Sequence, residues 1–129
     1  MPENSQFRSA DAVQVRGVLG LAAAADLAFL HERKVCGHVI DGLMGGSPAD
    51  FPDRYAAGSP VNLVPLGLPQ ILVNGTRDPF SSSIAQRYFD AAEAVADTVQ
   101  LTVAPESGRI PQIEDLHQVD SPDAGQVLR

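Results

Sequence analysis

The sequence has no tryptophan, two tyrosines, one cysteine and few basic residues. A lone cysteine, Cys36, excludes an internal disulfide and fits a reducing compartment, and we expect it to be a buried or half-buried filler. The net charge of -7 argues against nucleic acid, because phosphate binding needs a basic patch. The most apolar stretch, residues 17–30, contains Asp26 and is too short for a membrane span. We therefore expect a cytoplasmic protein with no nucleic-acid or membrane partner.

The sequence also contains no recognisable motif for binding a metal or a cofactor. His31 and His38 with Glu32 or Asp41 match no metal motif. No glycine-rich phosphate loop or dinucleotide fingerprint occurs. The sequence thus predicts neither a metal nor a cofactor.

Three apolar runs predict β-strands, at residues 13–21, 70–74 and 99–103. The central run lies between Pro69 and Gly75 and has no alternation, which is typical of a parallel strand buried on both faces. Helical patterns lie at residues 22–34, 37–43 and 81–94, the last with a serine cap, and a further short helix is predicted near 113–119. Residues 47–69 hold five of the ten prolines and predict a long loop. This order predicts an α/β fold with parallel pairing and right-handed crossovers.

Asp78 is the first candidate functional residue. It follows the central strand, and ligands and catalytic groups of open α/β sheets collect at the carboxyl ends of strands. The alternative is that Asp78 caps the helix that follows, a common role for aspartate at that position.

A family resemblance rests on residues 68–78, Leu-Pro-Gln-Ile-Leu-Val-Asn-Gly-Thr-Arg-Asp. This stretch resembles the strand and loop with the catalytic acid in α/β-hydrolases, in the esterase, lipase and prolyl-oligopeptidase or dienelactone-hydrolase-like branch. Residues 43–48, 54–60 and 66–69 match the same branch in order and spacing. The likeness covers only the C-terminal part of such an enzyme. It implies a partial α/β-hydrolase fold of about three parallel strands with flanking helices over residues 13–119. The polar composition of residues 1–12 and 120–129 predicts a flexible N-terminus and a flexible tail.

The resemblance implies that Asp78 is the family acid, but the rest of the triad departs from the pattern. No Gly-x-Ser-x-Gly nucleophile elbow occurs in the chain. Arg109 occupies the histidine slot, and arginine cannot act as a general base because it keeps its proton near neutral pH. Arg109 would either pair with Asp78 or be a solvated loop residue. His117 lies eight residues past the slot, where a surface histidine is the favoured interpretation.

Two functions follow from these observations. The chain is either part of a hydrolase that cleaves ester or peptide bonds with a serine supplied elsewhere, or a non-catalytic remnant or partner-dependent interaction half-domain. In both cases the chain alone is expected to be inactive. Its expected partner is a missing N-terminal hydrolase half or a second copy bound through the strand edge at residues 13–21.

Overall fold

The computed structural model describes residues 13–106. Its elements in chain order are β1 (Val18–Leu21), α1 (Leu27–Glu32), α2 (Val39–Met44), α3 (Pro52–Gly58), a 3-10 turn (Pro60–Asn62), β2 (Gln70–Gly75), α4 (Pro79–Ala94) and β3 (Val99–Ala104). None of these helices is long and apolar enough to cross a membrane. The predicted regions 1–12, 113–119 and 120–129 lie outside the described residues.

The three strands form one parallel sheet in the order β1-β2-β3. Leu72 is aligned with Gly20 on one side and with Leu101 on the other. This confirms the predicted three-stranded parallel α/β arrangement with flanking helices. The arrangement itself does not identify a particular α/β family.

The core lies on the face of the sheet that includes Leu72. All four α-helices contribute buried side chains to one apolar cluster with Leu72, among them Leu30, Met44, Tyr55 and Ile84. Four residues of this cluster lie on α4, more than on any other described helix, and Ile84 among them is only 2% exposed, so α4 is the main cover of the sheet. Few residues of the cluster have large side chains, which agrees with a sequence poor in aromatic residues.

The first strand is shorter than predicted. Residues 13–17 are exposed, and β1 begins only at Val18, whose N–H donates to the carbonyl of Pro69 at 2.9 Å. Because β2 begins at Gln70, no strand residue of β2 lies opposite residues 13–17 to extend the ladder.

The predicted helix at residues 22–34 is also shorter, and begins at Leu27. Ala22 has a positive φ of 46°, a left-handed conformation that cannot belong to an α-helix. Asp26 then caps α1 by accepting the N–H of Phe29 at 3.0 Å. The alanines between them connect the sheet to the helix, so local backbone geometry overrides their helix propensity.

Three further predictions need correction. Residues 47–69 are not a loop throughout, because Pro52 starts α3 and Pro60 starts the 3-10 turn, the first-turn position that proline favours. α4 begins at Pro79 and is capped by Asp78, not by a serine. Cys36 is exposed and has a φ of 56° in the turn before α2, so it is not a buried filler.

Candidate functional site

Asp78 lies just beyond the carboxyl end of the central strand. Its N–H donates to the carbonyl of Gly75, the last residue of β2, at 3.2 Å. The residue is only 7% exposed. A carboxylate is therefore held at the carboxyl end of the strands, where the sequence predicts a functional group.

Both carboxylate oxygens of Asp78 contact Ser81. Oδ1 accepts the backbone N–H of Ser81 at 3.0 Å, and Oδ2 accepts its hydroxyl at 2.6 Å. With Pro79 in the first turn, this is the geometry of a helix N-cap. The positive end of the α4 dipole favours the ionised carboxylate there. The capping interpretation is thus confirmed, and it leaves a catalytic role for Asp78 a prediction.

The triad partners that the resemblance implies are not among the described residues. Arg109 and His117 lie outside residues 13–106, so their positions relative to Asp78 stay predictions. The two described histidines, His31 and His38, both hydrogen-bond Asp41. The described part therefore supplies no histidine that is seen in contact with Asp78.

Asp41 joins α1 to the start of α2. Its carboxylate accepts hydrogen bonds from Nδ1 of His38 at 3.1 Å and from Nδ1 of His31. These two bonds, that of His38 first, hold the pKa of Asp41 below its ordinary value. No group of three or more ligating side chains suitable for a metal ion occurs within residues 13–106. The cluster is best explained as a connection between two short helices.

Asn74 is a buried polar residue to which the sequence pattern assigned no role in a site. It lies on β2 four residues before Asp78 and is 1% exposed. Within the described part of the chain, neither its Nδ2 nor its Oδ1 has a hydrogen-bond partner. Its position directly after the apolar run at residues 71–73 was the available signal, because a polar residue at a buried strand position needs an explanation.

A second polar network lies at the opposite, amino end of β2. Gln70 accepts the hydroxyl of Tyr88 and donates through Nε2 to Asp97 at 2.7 Å. Asp97 also accepts the N–H of Leu66 at 2.6 Å and that of Gly67 at 3.1 Å. The Leu66 bond is the main reason why the pKa of Asp97 is lowered, while burial raises the pKa of Tyr88. This network connects a loop, β2, α4 and the start of β3, and is structural.

A shallow groove lies beside the N-terminus of α4. Phe29, Arg33, Pro79, Phe80 and Ser83 line it, and its volume is about 180 Å³. Ligand pockets usually measure about 300–1,000 Å³. The guanidinium of Arg33 already lies 5.1 Å from the centre of the Phe29 ring. The groove is therefore too small to define a substrate pocket in the described part of the chain.

The fold and the site together define a small α/β protein with a buried, helix-capping aspartate at the carboxyl edge of its parallel sheet. No protein-family model matches the sequence, and comparison with curated proteins and with solved structures gives no significant match. The family is therefore a proposal based on the residues themselves.

Proposed function

We propose that this chain is the acid-bearing C-terminal part of an α/β-hydrolase-type domain that is inactive on its own. The observation that supports this most is the position of Asp78. It follows the central strand of a parallel sheet by three residues and directly precedes a long helix. Enzymes of the resembling family hydrolyse ester or peptide bonds by acyl transfer with a serine, a histidine and an aspartate.

In that mechanism Asp78 would orient a histidine, and the histidine would activate a serine. The carboxylate accepts the Nδ1–H of the imidazole, fixes its tautomer and stabilises the imidazolium that forms. In this chain Arg109 stands in the histidine slot and cannot take a proton from a nucleophile. The serine would have to come from another segment, because the sequence contains no nucleophile elbow. Catalysis therefore needs two components that this chain lacks.

A second candidate function is a non-catalytic interaction half-domain. Ser81, in the first turn of α4, contacts both carboxylate oxygens of Asp78, which gives the residue a structural role that needs no catalysis. β1 also presents apolar side chains at an edge of the sheet, with Leu19 49% and Leu21 44% exposed. Both features suit a domain that binds a partner chain and performs no chemistry.

An extended polypeptide separates the two candidates. The reading frame immediately upstream is determined, and a Gly-x-Ser-x-Gly elbow is sought after a predicted strand. The longer polypeptide is then expressed with Arg109→His and assayed with p-nitrophenyl butyrate. We expect hydrolysis by this variant and none by the polypeptide that keeps Arg109, because only the histidine can serve as general base.

Two further substitutions in the extended Arg109→His polypeptide test Asp78 itself. Asp78→Asn keeps a good helix cap but orients the wrong imidazole tautomer, so we expect a loss of about 10³–10⁴ in kcat. Asp90→Ala is the matched control, since Asp90 is an exposed acid on the same helix whose carboxylate accepts a hydrogen bond from Gln86. Activity that persists in Asp78→Asn, or the absence of an elbow upstream, would reject the hydrolase proposal in favour of the interaction half-domain.

A further inference from the structure

β1 uses only half of its backbone groups within the described sheet. The N–H groups of Val18 and Ala22 donate to the carbonyls of Pro69, directly before β2, and of Val73 on β2, each at 2.9 Å. Alternate residues of a strand direct their backbone groups to opposite sides. The N–H and C=O groups of Leu19 and Leu21 therefore point away from β2, to a side where no strand pairs within residues 13–106.

The side chains at this edge are apolar and uncharged. Leu19 and Leu21 are two residues apart, so they lie on the same face of the sheet, and each is nearly half exposed. Residues 17–25 contain no charged side chain and no proline. Lysine, other charges and proline are the usual means by which natural edge strands resist pairing, and β1 has none of them.

We propose that β1 pairs antiparallel with β1 of a second copy of this chain, about a two-fold axis at Gly20. In this register Leu19 of each copy lies opposite Leu21 of the other, and Gly20 lies opposite Gly20. Each Leu19–Leu21 pair exchanges two N–H···O=C bonds, as hydrogen-bonded pairs of antiparallel strands do. Two three-stranded sheets then become one sheet of six strands.

This register is selected by the residues of the edge. It brings the four leucine side chains of the two copies together on one face, where cross-strand pairs stabilise a sheet. A shift of two residues would leave only one directly opposed leucine pair and place the other two leucines opposite Gly17 or Ala23. The glycines at the axis form the closer, non-hydrogen-bonded pair, with Cα atoms about 4.5 Å apart, and have no side chains to collide.

The charge and the size of the surface limit how strongly two copies can associate. The net charge of -7 opposes association, but residues 17–25 allow two copies to meet through a neutral region. Pairing through one short strand buries much less than the roughly 1,200–2,000 Å² of a standard interface. The dimer is therefore weak, forms at high protein concentration, and gains from added salt that screens the repulsion.

Engineered cysteines test the register in the full chain. Cys36→Ser removes the native thiol, and Leu19→Cys and Leu21→Cys are made separately in that background. Mixing the two under mild oxidation should give a disulfide-linked dimer, since opposite Cα atoms are about 5.5 Å apart. Each variant alone should stay monomeric on a non-reducing gel, because its two identical positions are offset by two residues and exceed the ~7 Å limit for a disulfide.

Sedimentation velocity over a range of concentrations tests the surface. Leu19→Ser should weaken the association of the chain, whereas Leu43→Ser should not, although Leu43 of α2 is an equally apolar residue that is 70% exposed. Circular dichroism verifies that both variants are folded. A wild-type chain that is monomeric at every concentration, a greater effect of Leu43→Ser, or equal cross-linking by the single cysteine variants would each overturn the proposal.

Discussion

The carboxylate of Asp97 accepts a 2.7 Å hydrogen bond from Nε2 of Gln70, a residue 27 positions earlier in the chain. Gln70 is 2% exposed, and its other amide atom accepts the hydroxyl of Tyr88 on α4. Asp97 lies two residues before β3, so this pair fixes the start of one strand against the start of its neighbour. Both polar atoms of this buried glutamine side chain therefore have a hydrogen-bond partner.

Replacing Asp97 should destabilise the fold. Asp97→Ala removes the acceptor of the Leu66, Gly67 and Gln70 donors, and leaving such groups unpaired costs about 1–3 kcal/mol in the free energy of unfolding. Urea denaturation followed by circular dichroism measures the loss. The control is Asp90→Ala, an exposed substitution expected to change stability by less than about 0.5 kcal/mol. Equal stability of the two variants would show that the Asp97 network does not hold the sheet.

The lowered pKa of the Asp97 carboxylate predicts how the stability of the fold depends on pH. The pKa of Asp97 is lowered from its ordinary value of 3.8 in the folded chain, so the folded state favours the ionised form. Its stabilisation is therefore fully present above pH 3.8 and is lost as the pH falls through the lower folded pKa. Asp97→Asn should show a shallower loss of stability in that acid range. Urea midpoints at a series of pH values measure this, and parallel curves for wild type and variant would contradict it.

Helix capping by Asp78 gives a prediction that is separate from catalysis. Asp78→Ala removes the acceptor for the Ser81 N–H and hydroxyl and should lower the free energy of unfolding by about 1–2 kcal/mol. Asp78→Asn should lower it much less, because asparagine caps helices about as well as aspartate. Thermal and urea unfolding of both variants provide the comparison. Equal losses would show that the negative charge, rather than the cap, stabilises the start of α4.

The buried amide of Asn74 predicts an unusual response to an apolar substitution. Leucine has the same branching as asparagine and no polar atoms to desolvate. Where the amide has no partner, Asn74→Leu should be neutral or stabilising, since the penalty for an unpaired buried amide disappears. Urea denaturation of the wild-type chain and of Asn74→Leu compares their free energies of unfolding. A loss greater than about 1 kcal/mol would mean that the amide is hydrogen-bonded in solution.

The sheet was predictable from the sequence because its signals are local. Residues 70–74 and 99–103 form the strands expected of them, each extended by one residue, Gly75 or Ala104. The order of the elements was enough to predict parallel pairing, because a strand that returns after a helix runs in the same direction.

The remaining features depend on contacts between distant residues. Helix propensity placed a helix start at Ala22, but the chain must first turn out of the sheet, and Asp26 then sets the start at Leu27. Asp26 is itself held by Arg87, 61 residues away, at 2.8 Å. The sequence around Asp97, in a polar turn, also could not show that its carboxylate accepts a hydrogen bond from the buried side chain of Gln70. For Asp78 the sequence left two roles open, and the geometry establishes the cap.

The central claim is that this chain holds the acid of a hydrolase-type site but cannot catalyse alone. The most direct measurement is hydrolysis of p-nitrophenyl butyrate by the purified full chain, compared with Asp78→Asn and Asp90→Ala. We predict no turnover above buffer for any of the three, because a nucleophile elbow is absent from the sequence and the proposed alignment places Arg109, which cannot act as a general base, in the histidine position. Turnover by the wild-type chain that Asp90→Ala retains and Asp78→Asn abolishes would contradict the claim.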